Sequence, residues 1–152
     1  KECQVPVDIL RIFNTYGPGQ NASFLIPKIM EGVFKGQLNL ETLTPKRDFV
    51  YVHDVCNAFL QCLLIHSEDH TFNVYNIGSG NSYSVQQIID KVISFAALNP
   101  TITCNEKKRA VEVEDVKADF SKIKREKKWH PSVSFDQGLK DMIEIYRKEN
   151  GL

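Results

Sequence analysis

The sequence predicts an α/β domain, because short apolar β-prone runs alternate with amphipathic helical stretches and the connections between them are brief. Three runs rich in Val, Ile, Phe and Tyr carry the strands: residues 5–13 (VPVDILRIF), 47–52 (RDFVYV) and 72–77 (FNVYNI). Two capping-box pairs, Ser84 with Gln87 and Ser134 with Gln137, mark helix starts, since each offers a hydroxyl and an amide to the first-turn backbone N–H groups.

Taken in order, residues 5–13 read as a largely buried strand and residues 14–21 (NTYGPGQN) as a loop broken by Gly-Pro-Gly. A helix is predicted from Ser23, its candidate cap, to about Lys35, on the spacing of Leu25, Ile26, Ile29, Met30, Val33 and Phe34. Residues 38–43 form a short strand. After the strand at 47–52, Asp54 is a candidate N-cap for a helix reaching about His66, with Val55, Ala58, Phe59, Cys62 and Leu63 on one stripe. The strand at 72–77 closes on Gly78-Ser79-Gly80, and the helix opened by Ser84 runs through VQQIIDKVISFAAL. A β-prone piece at 101–104, a charged helix at 119–128 and a final helix after Ser134 complete the chain. Residues 105–115 are polar, lack a period and read as the flexible stretch. No internal boundary is visible, so residues 1–152 are one unit.

Nineteen basic residues balance nineteen acidic ones, which argues against a nucleic-acid binder, whose affinity rests on a basic face. No apolar run approaches the roughly 18 residues that cross a bilayer. The four cysteines are scattered without a CxxC pair, which fits reduced thiols and a cytoplasmic protein. His53 and Cys56 are too few ligands for zinc, and no metal is expected. The basic residues Lys122, Lys124, Arg125, Lys127 and Lys128 interleave with Glu126 in helical order and read as a solvated helix face.

The chain lacks a GxGxxG loop, a GxSxG, an HExxH and a Walker loop, so neither a dinucleotide cradle nor a complete catalytic set is visible. The candidates that remain bind ligands. Asn14 follows a strand, where open α/β sheets bind ligands; its amide either donates to a phosphate or sugar oxygen or stabilises its own turn. Arg47 opens the RDFVYV strand and Arg109 lies near Glu112. The planar guanidinium suits a diphosphate, and ordinary surface ion pairs are the alternative. Strand alternation puts Arg47, Phe49 and Tyr51 on one face and Asp48, Val50 and Val52 on the other.

Several strings occur in order: Arg11-Ile-Phe-Asn14-Thr-Tyr16-Gly17-Pro18, Leu25-Ile26-Pro27, Arg47-Asp48-Phe49-Val50-Tyr51-Val52-His53-Asp54-Val55 and Tyr75-Asn76-Ile77-Gly78-Ser79-Gly80. Arg109-Ala-Val-Glu112-Val and Trp129-His-Pro131 before Ser134-Phe-Asp-Gln-Gly138 follow. Over nearly its whole length the chain resembles the C-terminal, substrate-binding portion of the extended short-chain dehydrogenase/reductase family of NAD-dependent nucleotide-sugar epimerases, dehydratases and decarboxylases. It departs from that family in having Lys127-Lys128 where Leu-Gly is usual before the tryptophan, and Ala110-Val111 where Pro-Gly is usual.

The resemblance implies an extended Rossmann-type fold whose C-terminal part has small sheets with flanking helices. It implies that Asn14 and Arg47 hold the diphosphate of a nucleoside-diphosphate sugar, with Arg109 reaching it from the other side and Glu112 near the ribose. The backbone around Leu25 and the strand near Asn39 and Glu41 would line the base, and Phe13 and Tyr16 would lie near the nicotinamide. NAD(P) and the Tyr-x-x-x-Lys pair would belong to an upstream half, so these residues alone are expected to be inactive. The intact protein is expected to be an epimerase acting at sugar C4. A 4,6-dehydratase, a decarboxylase, a 4-keto reductase and a non-catalytic binding module are the alternatives. A homodimer is expected, with the isolated chain prone to self-association.

Overall fold

The computed structural model describes residues 5–65, 72–105 and 113–152. Its elements are β1 (Val7–Ile12), β2 (Asn14–Tyr16), α1 (Leu25–Phe34), β3 (Gln37–Leu40), β4 (Lys46–Tyr51), α2 (Val52–Leu64), β5 (Phe72–Ile77), β6 (Ser82–Ser84), α3 (Val85–Ala96), β7 (Thr101–Cys104), β8 (Asp115–Val116), α4 (Ser121–Lys127) and α5 (Phe135–Asn150). They make an α/β fold of three small sheets. β1 pairs in parallel with β5, and β3 in parallel with β7. β4 has β2 and β8 as parallel neighbours and β6 as an antiparallel one.

β4 sits between two cores because its side chains alternate faces. Phe49 and Tyr51 join Tyr16, the inner faces of α1, α3 and α5, and Leu38 and Leu40 of β3. Val50 joins Val55, Ala58, Tyr75, Ile77, Ile123 and Trp129 on the other side. Ile88, Ile89 and Val92 of α3 are fully buried, each contributing about 1.5–3 kcal/mol of hydrophobic stabilisation. α5 approaches β2 closely enough that a Cβ on Gly138 would overlap the Tyr16 hydroxyl.

The strand at 5–13 is interrupted. β1 stops at Ile12, the Phe13 amide donates to the Ile77 carbonyl, and the chain then enters a different sheet as β2. The expected loop at 14–21 therefore begins as a strand. β1 is also less buried than its composition suggests: Val7, Ile9 and Ile12 are 40–44 % exposed. The reason is that its sheet has two strands among the described residues, so part of its apolar surface meets no neighbour.

Helix starts differ in an instructive way. Ser84 makes the full reciprocal capping box with Gln87. Ser134 accepts from the Gln137 amide, but the Gln137 side chain turns forward to Asp141. Ser23 does not cap α1; Phe24 holds that position, and the Ser23 amide instead donates to the Asn21 side chain. Asp54 does not cap α2 either. The helix starts two residues earlier, at Val52, and the Asp54 carboxylate is committed to the chain before α5.

The basic cluster at 122–128 is not uniformly solvated. Lys127 is 2 % exposed, with its ammonium 2.7 Å from an Asp8 carboxylate oxygen and 2.7 Å from the Ile65 carbonyl. Lys122 lies over the Tyr75 ring. Lys128 takes a left-handed conformation, φ +57°, to end α4. Cys56, Cys62 and Cys104 are free thiols. No helix among the described residues is long and apolar enough to cross a membrane.

Candidate functional site

A cleft of about 320 Å³ opens where the C-terminal end of β3, the start of β4 and the first turn of α1 converge. Leu25 and Lys28 face it from α1, Leu40 from the end of β3 and Glu41 from just beyond it, Arg47 and Phe49 from β4, and Tyr83 from β6. A smaller hollow of about 120 Å³ adjoins it and shares Leu25, Arg47 and Phe49 as a common wall; Asn14, Thr15 and Gln20 line its other side. Four of the expected residues, Asn14, Leu25, Glu41 and Arg47, thus line two adjoining hollows that share a wall, although they come from distant parts of the chain.

Local structure explains each placement. Asn14 leads β2 opposite Phe49, and its side-chain amide donates to the Asp48 carbonyl at 2.9 Å. That contact ties the start of β2 to β4 rather than bracing its own turn, and leaves the residue exposed at the hollow. Arg47 is half-buried, and its guanidinium donates to the Lys46 and Val113 carbonyls at 2.8 and 2.7 Å. Strand alternation then puts Phe49 beneath it in the same cleft.

Asp48 points the opposite way. It is fully buried and accepts from the Ser79 amide and hydroxyl, the Gly80 amide and the Ala118 amide, at 2.7–3.0 Å. Asp54, 1 % exposed, accepts from the Ser132 amide and hydroxyl and the Val133 amide. Both aspartates of the RDFVYVHD string are thereby structural clamps, satisfied by backbone donors as buried carboxylates must be.

Other expected residues fall elsewhere. Asn39 is exposed on β3, hydrogen-bonded to Thr103 on β7, and does not line the cleft. Phe13 is half-buried between β1 and β2 and lines neither hollow. Tyr16 is 1 % exposed, and its hydroxyl donates to the Phe135 carbonyl. Burial, seconded by neighbouring Tyr51 and Tyr83, raises its pKa well above that of a free phenol, so it stays protonated. Burial likewise raises Tyr51, Tyr75 and Tyr83, and none of these four is poised as a phenolate base. Arg109 and Glu112 lie outside the described residues.

Sequence reading missed Lys28 and Tyr83. Lys28 was findable, because it stands one turn after Leu25 on the same helix face. Tyr83 was not: it reaches the cleft by pairing across the sheet with Arg47, a register that no local pattern encodes.

Residues 1–142 match the family described as GDP-mannose 4,6 dehydratase. The chain belongs to this family. It is 27 % identical to GDP-6-deoxy-D-mannose reductase of Pseudomonas aeruginosa, over 89 % of this chain and 46 % of that protein. It is 31 % identical to dTDP-D-glucose 4,6-dehydratase of Mus musculus, over 94 % of this chain and 41 % of that one. The solved structure of MoeE5 in complex with UDP-glucuronic acid and NAD superposes with a TM-score of 0.86 at 25 % identity, covering 95 % of this chain and 48 % of that chain. The chain spans about half the length of the curated relatives it matches. The family's relatives include nucleotide-sugar reductases, decarboxylases, epimerases and dehydratases, the group that the sequence motifs resemble.

A dinucleotide cradle in this family fold needs backbone N–H groups free to meet a pyrophosphate. The glycine turn after β5 does not fit that need. Its Ser79 and Gly80 amides donate to Asp48, and a Cβ on Gly78 would overlap Ala118. This turn closes the protein's own interior.

Proposed function

We propose that this chain is the nucleotide-sugar-binding part of an NAD(P)-dependent enzyme that acts by hydride transfer at sugar C4, with NAD(P) held by residues outside it. The supporting observation is the convergence of Asn14, Leu25, Glu41 and Arg47 on two adjoining hollows at the start of β2 and the end of β3. Arg47 and Asn14 grip the diphosphate, and the wider cleft takes the nucleoside. The chain's contribution is orientation: binding energy from the remote nucleotide holds the sugar in place for chemistry performed elsewhere.

Epimerization at C4 is the first reading. Dehydration, decarboxylation and 4-keto reduction share this binding half and differ in residues that would act on the sugar. The free cysteines accord with a cytoplasmic enzyme. The exposed apolar residues of β1 and α2 support the view that these surfaces are covered in the intact protein. The test is calorimetry on the intact protein with a nucleoside diphosphate and its parent nucleoside. The diphosphate should bind by at least about two decades more tightly, the value of two charge-assisted contacts. Equal affinities would remove the diphosphate grip and the reading with it. Product analysis by NMR after incubation with NAD-supplemented nucleotide sugars then separates the four chemistries.

A further inference from the structure

The larger cleft has a polar group that the diphosphate grip does not use, the phenol of Tyr83. β6 pairs antiparallel with β4 and sets Tyr83 directly opposite Arg47. Residues opposed in this way project from the same face of the sheet, with Cβ atoms about 5 Å apart. The ring is also fixed from behind. It stacks on the buried ring of Phe135, the first residue of α5, with centroids 4.2 Å apart and planes 16° from parallel. The Lys91 ammonium of α3 stands 5.8 Å from the Tyr83 centroid and is itself tethered 2.7 Å from an Asp136 carboxylate oxygen. This packing holds the aromatic plane and leaves the oxygen unused. Among the described residues the Tyr83 hydroxyl makes no hydrogen bond, whereas Tyr16 donates to the Phe135 carbonyl and Tyr75 to Glu126. Burial raises the Tyr83 pKa despite the neighbouring Lys91, so at neutral pH the hydroxyl keeps a proton to donate.

We infer that Tyr83 is a further ligand-contacting residue of this site, its hydroxyl donating to the diphosphate beside Arg47; the inference rests on the nucleotide reading of the site. The sheet order β2-β4-β6 carries it. Asn14 is paired with Phe49, and Tyr83 with Arg47, so all four side chains share one face. Asn14, Arg47 and Tyr83 then form a row across three neighbouring strands, with the guanidinium in the middle and a neutral donor on each flank. A diphosphate held by one guanidinium still has oxygens with lone pairs to fill, and a phenol fills one without bringing a second charge out of water. Tyrosine does this at little entropic cost, since its ring has two torsions and the Phe135 stack already restrains them.

The experiment is calorimetric titration of the intact protein, wild type and Tyr83→Phe, with GDP, UDP and dTDP and with guanosine, uridine and thymidine. Phenylalanine keeps the stack on Phe135 and removes one oxygen. The diphosphate that binds the wild type best should bind Tyr83→Phe about ten-fold more weakly, the value of one hydrogen bond to a charged group. Its nucleoside should bind both proteins alike, and the thermal midpoint should not move, because the hydroxyl has no partner among the described residues. Unchanged diphosphate affinity in Tyr83→Phe overturns the assignment and makes Tyr83 a packing residue. A loss shared equally by diphosphate and nucleoside overturns it too, since the hydroxyl then meets another part of the ligand. Both of these outcomes leave the nucleotide reading standing. A wild-type protein that binds no diphosphate more tightly than its nucleoside overturns that reading, and this assignment with it.

Discussion

The indole N–H of Trp129 donates to the backbone carbonyl of Asp54 at 3.0 Å, while the Asp54 carboxylate accepts from Ser132 and Val133 just beyond. One residue in the first turn of α2 thus ties down the whole segment that leads into α5. Asp54→Ala leaves two partly buried N–H groups and a hydroxyl without their charged acceptor, and should cost about 2 kcal/mol. Asp54→Asn keeps one acceptor oxygen and should cost less. Urea unfolding of the two variants measures the difference.

Arg47 and Asp48 are adjacent but should behave as opposites. Arg47→Ala should lower nucleoside-diphosphate affinity by about one to two decades and barely change stability. Arg47→Lys should recover part of the loss, since a point charge lacks the planar fork. Asp48→Ala should unfold more readily by about 3 kcal/mol, because the Ser79, Gly80 and Ala118 amides lose a shared buried partner. Calorimetry and denaturation on the same pair decide it; an Arg47 variant that unfolds like the Asp48 one would make the arginine structural.

Lys128→Gly should stabilise the protein. A left-handed residue with a Cβ costs about 1–2 kcal/mol that glycine does not, and Lys128 sits at φ +57°. The gain is smaller than that figure if the Lys128 ammonium's bond to the Arg125 carbonyl contributes. Thermal melting should show a higher midpoint, with the α4 end otherwise unchanged.

Cys62 should alkylate more slowly than Cys56 at neutral pH. Burial, with help from Asp8 and against the pull of Lys127, raises the Cys62 pKa, whereas Cys56 is exposed. The thiolate is the reactive form, so a raised pKa keeps Cys62 protonated to higher pH. The sign for stability follows: its contribution is present below the unfolded thiol pKa and lost as pH rises through the folded one. Mass spectrometry of a timed iodoacetamide reaction across pH 7–10 gives the order of labelling, and equal rates throughout would contradict it.

The 152-residue chain on its own should self-associate through α2 and β1, where Leu60, Leu63 and Leu64 are more than half exposed beside Phe59, Val7 and Ile9. Leu60→Glu with Leu64→Glu should restore a monomer in light scattering without loss of helicity. A wild-type chain that is monomeric at high concentration would show that this surface is tolerated as it stands.

Much of the fold was legible because its signals are local. The periodicity of α1 and α3, the Ser84–Gln87 box and the β-rich 47–52 run need no knowledge of partners. What escaped reading depends on distant neighbours. β2, β6 and β8 exist only because β4 is there to pair with them, and their short sequences carry no pattern of their own. Asp54 looked like a cap because aspartate usually is one; the competing donors lie beyond Trp129 and outbid the helix end. Lys127 looked solvated because Asp8, the partner that accompanies its burial, is at the other end of the sequence. The site followed the same rule. Asn14 and Arg47 were readable from their places at strand ends, Leu25 and Glu41 only from a resemblance, and the four line adjoining hollows, while Asn39 pointed to a neighbouring strand and Tyr16 to the interior.

The two ends of the cleft are anchored unequally. Arg47 and Phe49 belong to β4, whose alternate side chains enter both cores, so the backbone at this end is held by the frame whatever side chain stands at position 47. Lys28 and Glu41 sit on a solvent-facing helix turn and just past a strand end, where exchange of a side chain disturbs nothing beneath. A scaffold arranged in this way can exchange the side chains at positions 28 and 41 freely while the strand that carries Arg47 keeps its place.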